Sequence, residues 1–134
     1  MDNPNRIVRK VSWEEFDKLI DELVVKIKEE SKNYLIDGII GIPRGGLVVA
    51  VCLSHKLNIQ LITETQFNDD SEGKIVIVCD DICDKGNTLN NFLMNNKKHD
   101  LILTTLHYRE GASITPIYAE KINEEWIQYP WEIE

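Results

Sequence analysis

Ile75-Val76-Ile77-Val78-Cys79-Asp80-Asp81-Ile82-Cys83-Asp84-Lys85-Gly86-Asn87-Thr88 decides how this chain folds. Residues 74 to 79 are nearly all valine and isoleucine, as a central strand covered on both faces requires. Two adjacent carboxylates close that strand, and a short turn with a third acid, a glycine and a hydroxyl follows. A helix then begins near Asn87 or Thr88 and turns Leu89, Phe92 and Leu93 inward.

Toward the N-terminus, residues 64 to 73 are polar and read as a loop, preceded by a strand at about 58 to 63. Ile36-Asp37-Gly38-Ile39-Ile40-Gly41-Ile42 is another short apolar strand, and Pro43-Arg44-Gly45-Gly46 turns from it into a helix at about 47 to 55. Ser12 and Glu15 form a capping box, and Trp13, Phe16, Ile20, Leu23, Val24 and Ile27 follow at helical spacing, so a first helix spans about 13 to 30. Residues 1 to 11 are a polar lead-in.

Toward the C-terminus a strand is expected at about 101 to 107. A last strand, at about 115 to 121, contains Pro116 and belongs at a sheet edge. Strands alternating with helices define an α/β fold, a parallel sheet with helices on both faces. Ligands in such sheets sit beyond the carboxyl ends of the strands. The turns at 43–46 and 80–88 both fall there.

The chain has 134 residues, enough for one domain with a real core, and a net charge of −8. That charge argues against nucleic acid or an anionic membrane surface as partner. No apolar run approaches a membrane span and no signal-peptide core opens the chain. The three cysteines have no metal-ligand spacing. Cys52 and Cys79 read as core residues and Cys83 as a partly exposed turn residue. A soluble, cytoplasmic protein is expected.

Neighbouring carboxylates repel, so Asp80 and Asp81 call for a cation or several hydrogen-bond donors. Ribose hydroxyls supply donors, and magnesium (Mg2+), a hard oxygen-seeking ion, supplies charge. Residues 84 to 88 present successive N–H groups suited to a phosphate, with Gly86 relieving the backbone and Thr88 offering a hydroxyl at the helix start. Taken alone, Asp-Asp would be a polar strand end and Asp84 or Thr88 a helix cap. Likewise Arg44-Gly45-Gly46 alone would be an ordinary turn, and Trp126 a core residue.

Residues 78 to 88 resemble the phosphoribosyl pyrophosphate (PRPP) signature of type I phosphoribosyltransferases. Ile42-Pro43-Arg44-Gly45-Gly46-Leu47 is similar to that family's pyrophosphate-binding loop. Trp126-Ile127-Gln128-Tyr129-Pro130-Trp131-Glu132 resembles the C-terminal segment of its small xanthine-guanine and hypoxanthine (purine) members, and Val11-Ser12-Trp13-Glu14-Glu15 resembles their opening.

The resemblance implies a central, mostly parallel sheet flanked by helices, in a single domain of residues 1–134. Its core would span about 12–121, with a small hood at about 122–134. It implies that Asp80 and Asp81 engage the ribose and Mg2+, and that Asp84, Lys85, Gly86, Asn87 and Thr88 bind the 5′-phosphate. Arg44, Gly45 and Gly46 would hold pyrophosphate, and Asp84 would manage the purine's proton near N7. Trp126 would stack on the base and Ile127 would read its edge through the main chain. Arg109 would contact the exocyclic oxygen of a 6-oxopurine, or His107 would if the alignment slips by two residues. A homodimer or tetramer follows by analogy. The residues left without a role are His55 and His99, expected at the surface near helix ends, and Asp69-Asp70, expected in solvent.

Two departures bear on catalysis. The segment 64–73 is short for a loop that closes over pyrophosphate, and Lys85 and Asn87 replace smaller residues of the phosphate loop. The expected activity is purine phosphoribosyl transfer from PRPP with release of pyrophosphate. The alternative is a noncatalytic PRPP- or nucleotide-binding sensor on the same fold.

Overall fold

The structure is a computed structural model that describes residues 6–69 and 73–133. Chain order is β1 (Val8–Lys10), α1 (Trp13–Glu30), β2 (Gly38–Gly41), α2 (Gly45–Leu57), α3 (Glu64–Asp69), β3 (Ile75–Cys83), α4 (Asn87–Asn95), β4 (Asp100–Arg109), β5 (Ile117–Ile122) and β6 (Trp126–Gln128). The main sheet runs β2-β3-β4-β5, every pair parallel, and β1 and β6 form a separate parallel pair.

Helix α1 starts where its capping box places it, with Ser12 Oγ accepting the Glu15 N–H at 3.1 Å. Its apolar stripe buries Phe16, Leu19, Ile20, Leu23 and Ile27. That stripe, with Val49 and Leu53 of α2, covers the sheet face carrying Ile39, Ile77, Cys79 and Leu106. The opposite face carries Ile40, Val76 and Val78 beneath Phe67 and Phe92. Strand β3 is therefore covered on both sides, and its unbroken Val/Ile run reflects that burial. Strand β5 is the sheet edge expected from Pro116.

Several expectations are corrected. The strand at 58–63 is reduced to one bridge between Leu61 and Ile39, because Thr63 already caps a helix. The Thr63 hydroxyl accepts the Gln66 N–H, and Gln66 Oε1 accepts the Thr63 N–H. That reciprocal cap turns the supposed loop into α3, which buries Phe67. Of the Asp69-Asp70 pair, Asp69 is the last residue of α3 and Asp70 lies outside the described residues.

His99 is buried rather than superficial. Its ring stacks on Phe67 at 4.3 Å, its Nδ1 accepts the Lys74 N–H, and its Nε2 reaches Phe67 O. Leu93 is exposed, because the face of α4 that meets the sheet centres on Leu89. Finally, Cys83 is buried within β3, its thiol facing Ile114 O, while Cys52 is only half-buried.

Candidate active site

Strand β3 extends past Cys79 and carries both acids before it ends at Cys83. Asp80 and Asp81 are thus strand residues, in register with β4, rather than turn residues. Side chains on a strand alternate, but at the strand's end the two carboxylate groups come together: they interact directly and line the same cavity. Asp81 shares the Ile77/Cys79 face and meets the start of α2. A Cβ on Gly45 would lie 2.0 Å from Asp81 Oδ2, and one on Gly46 would lie 2.3 Å from Cys79 O. These two glycines therefore let α2 seat against β3. Their N–H groups at the helix start favour an anion there.

Asp80 Oδ1 accepts the Asp81 N–H at 2.9 Å, and Asp81 Oδ1 accepts the Ile82 N–H at 2.8 Å. Burial, followed by the neighbouring Asp81 charge, pushes the Asp80 carboxyl up to about 8. Burial raises Asp81 too, against the hydrogen bonds it receives from Asp80 and the Ile82 N–H. Both acids are thus biased toward their protonated forms, Asp80 the more strongly. The sulfur groups alongside are inert: burial lifts the Cys79 thiol to about 12 and the Cys83 thiol to about 11.

Beyond the acids the chain closes a cup. Gly86 has φ of 96°, a left-handed conformation that suits glycine, and caps α4. Ser113 braces the loop from outside, its N–H donating to Lys85 O and its hydroxyl accepting from Asn90 Nδ2. Asp80, Asp81, Asp84, Lys85, Gly86, Asn87 and Thr88 all line one cavity of about 310 Å³. Six of the expected ligands other than Asp84 thus come together with it in a single space. Arg44 is exposed at the N-cap of α2, after a cis Pro43–Arg44 peptide, and does not line that cavity.

Arg109 is the last residue of β4, two positions beyond His107. His107 is fully buried and faces away, toward Tyr129 and Glu120. Arg109 instead donates its Nε–H to Asp84 Oδ1 at 2.5 Å, and its Nη1 donates to Asn123 O and Glu125 O. Its Nη2 is buried with no hydrogen-bond partner. An orphaned guanidinium N–H is costly unless an acceptor arrives. A second cavity of about 510 Å³ is lined by Arg109, Arg6, Ile7 and residues 123–125.

The hood borders this second cavity. Trp126 is half exposed, with the Arg6 guanidinium 4.8 Å from its ring centre. The Trp126 N–H donates to Ile7 O, and Gln128 O accepts the Val11 N–H, so these two residues carry the ladder to β1. Strand alternation leaves the Ile127 N–H and C=O on the edge away from β1.

Arg6 and Tyr129 were invisible as site residues in the sequence. Arg6 precedes any pattern, and Tyr129 looks like any aromatic of a small core. Ser113 likewise had no local signal.

Two adjacent carboxylates beside a phosphate-sized cup form a hard, all-oxygen donor set. Among the described residues no cluster of three or more His, Cys, Asp or Glu side chains could hold a metal ion. Such a donor set fits a magnesium ion that completes its coordination with substrate oxygens and water. Among the described residues no helix is long and apolar enough to cross a membrane.

This architecture, with acids at the tip of the central strand and a glycine-capped phosphate cup, is the type I phosphoribosyltransferase fold. No protein-family model matches the chain. It is 30% identical to the purine phosphoribosyltransferase from Pyrococcus horikoshii Ot3, with 95% of each chain covered and a TM-score of 0.79. It is 29% identical to the xanthine-guanine phosphoribosyltransferase of Idiomarina loihiensis, over 92% of this chain and 86% of that protein. The xanthine-guanine-hypoxanthine phosphoribosyltransferase of Helicobacter pylori shares the fold, at 21% identity and a TM-score of 0.75. The chain belongs to the type I phosphoribosyltransferase family.

Proposed function

We propose that this protein transfers the 5-phosphoribosyl group of PRPP to a 6-oxopurine (xanthine, guanine or hypoxanthine), releasing pyrophosphate, as a purine salvage enzyme. The observation that carries the base class is the buried, unpartnered Nη2 of Arg109. It is a donor and needs an acceptor. The exocyclic oxygen of a 6-oxopurine is an acceptor, whereas the amino group of adenine is a second donor that would leave Nη2 unpaired.

The rest of the site supports the same reading. The 84–88 loop takes the 5′-phosphate in its N–H groups, and Asp80 and Asp81 take the ribose hydroxyls. Departure of pyrophosphate leaves positive charge on the ribose ring, and the carboxylates of Asp80 and Asp81 stabilise it when ionised. Asp80 and Asp81, with substrate oxygens, would hold a magnesium ion, which would supply charge neutralisation for the leaving group. Arg44 and the N–H groups of Gly45 and Gly46 hold the pyrophosphate.

Arg109 fixes one oxygen of Asp84, which orients that carboxylate for the proton at N7 as the glycosidic bond forms. Trp126 covers the base, and the free edge of Ile127 reads its pyrimidine-ring side. We assign residues 12–121 to the core and 122–134 to the hood of a single domain, with β1 completing the hood's sheet. Three free cysteines accord with a cytoplasmic setting.

The test is nucleotide formation from PRPP and Mg2+ with each of xanthine, guanine, hypoxanthine and adenine. Product with at least one 6-oxopurine and none with adenine is expected. PRPP binding without product from any base would replace the enzyme by a sensor.

A further inference from the structure

Strand β2 stops at Gly41, opposite Cys79. The Cys79 carbonyl still has a partner there, the Ile42 N–H at 2.8 Å. Two residues on, the Asp81 carbonyl points the same way by strand alternation, into a gap where β2 no longer runs. The Tyr129 hydroxyl fills that gap and donates to Asp81 O at 3.0 Å.

The hydroxyl itself is held from behind. The hydroxyl's single proton goes to Asp81 O, so its second partner, His107 Nδ1–H at 2.7 Å, donates to it; on the far side of the ring His107 Nε2 lies 3.0 Å from Glu120 Oε1, and that oxygen lies 2.9 Å from Arg9 Nη1. Arg9 sits on β1, in register with Ile127 of β6. The Tyr129 ring is stacked on Trp131 at 4.9 Å and 2°, and Trp131 packs edge-on against Phe16. A chain of side chains thus runs from the tail through β4, β5 and β1 and ends on the peptide of a single acid.

We propose that Tyr129 is a positioning residue of the PRPP site, its hydroxyl substituting for the absent neighbouring strand and fixing the Asp81 peptide, and with it the direction of the Asp81 carboxylate. This rests on the PRPP-dependent reading above. The Asp81 side chain has little independent freedom, since it is wedged against Gly45 and bonded to the next N–H. Moving its peptide therefore moves its carboxylate.

Tyr129→Phe keeps the ring and its stacking and removes only the donor. It is expected to raise the KM for PRPP, and the Kd for PRPP measured by calorimetry in Mg2+, by about tenfold, the worth of one buried hydrogen bond. The KM for the purine should stay within about twofold. Leu19→Ala, in α1, which lines neither cavity, serves as the matched control, with a lower melting temperature and both KM values unchanged. A Tyr129→Phe enzyme that melts lower but keeps the wild-type KM and Kd for PRPP, as the control does, would overturn the proposal.

Should Tyr129→Phe fail to fold, Glu120→Ala loosens the same chain at its half-exposed end. A rise of about two- to threefold in the Kd for PRPP supports the proposal, and an unchanged Kd overturns it. The wild-type enzyme reports on the parent reading separately. Product formation tests the transferase assignment, while the difference between variant and wild type in PRPP binding tests Tyr129. A wild-type protein that binds no PRPP overturns both.

Discussion

Arg109 Nε and Asp84 Oδ1 lie 2.5 Å apart, a contact that ties the end of β4 to the 84–88 loop and, through Asn123 O and Glu125 O, to the segment before β6. One planar fork thus serves three segments, and a lysine cannot reproduce it. Arg109→Lys is expected to lower kcat/KM for the purine by about tenfold to a hundredfold, with a smaller change in PRPP affinity. A variant with wild-type kinetics would remove Arg109 from the base site.

The partner of that contact makes a different prediction. Asp84→Asn preserves shape and an acceptor oxygen but cannot take a proton. Turnover is expected to fall by about 10² to 10⁴ while the Kd for PRPP changes little. Equal losses in both, read from steady-state rates and calorimetry, would contradict a proton role.

Trp126→Ala removes the proposed flat cover of the base. The KM for the purine should rise about tenfold, a change worth roughly 1.4 kcal/mol, and the KM for PRPP should hold. Parallel rises in both would mean that Trp126 supports the hood's fold rather than the base.

The acid pair predicts an unusual pH profile for the ligand-free protein. The Asp80 carboxyl is raised in the fold from 3.8 to about 8. Its contribution to stability is therefore complete below 3.8 and lost as pH rises toward about 8, because the unfolded chain gives up the proton first. His107 works the other way. Burial lowers its value below 6.5, so its contribution is complete above 6.5 and is lost as pH falls. The interval from 6.5 to about 8 isolates the acids. Across it, stability should fall by up to about 1.4 kcal/mol per pH unit, and the melting temperature should follow. Asp80→Asn should flatten this slope and melt a few degrees higher at pH 8, and Mg2+ with PRPP should do the same in the wild type. An identical slope in Asp80→Asn would refute the buried-pair account.

The backbone of the fold was largely legible because its signals are local. Ser12 and Glu15 set the start of α1, the Val/Ile run set β3, and Pro116 marked the edge. What escaped depended on partners distant in sequence. His99 looks like a surface histidine until Phe67 and Lys74 meet it across a loop. Tyr129 finds Asp81 48 positions away. The adjacent acids are strand residues only because β3 continues through them to Cys83, and nothing in an Asp-Asp dipeptide distinguishes a strand from a turn. One miss was avoidable. Thr63 and Gln66 spell a capping box, and the polar composition of the segment hid it.

The central claim is that the tip of β3 and its glycine-capped loop hold PRPP. Calorimetric titration of PRPP with Mg2+ into the wild type and into an Asp80→Asn, Asp81→Asn double variant tests it directly. Saturable binding by the wild type, weakened at least a hundredfold in a folded double variant, is the predicted result. Equal affinity in the two proteins would contradict the account.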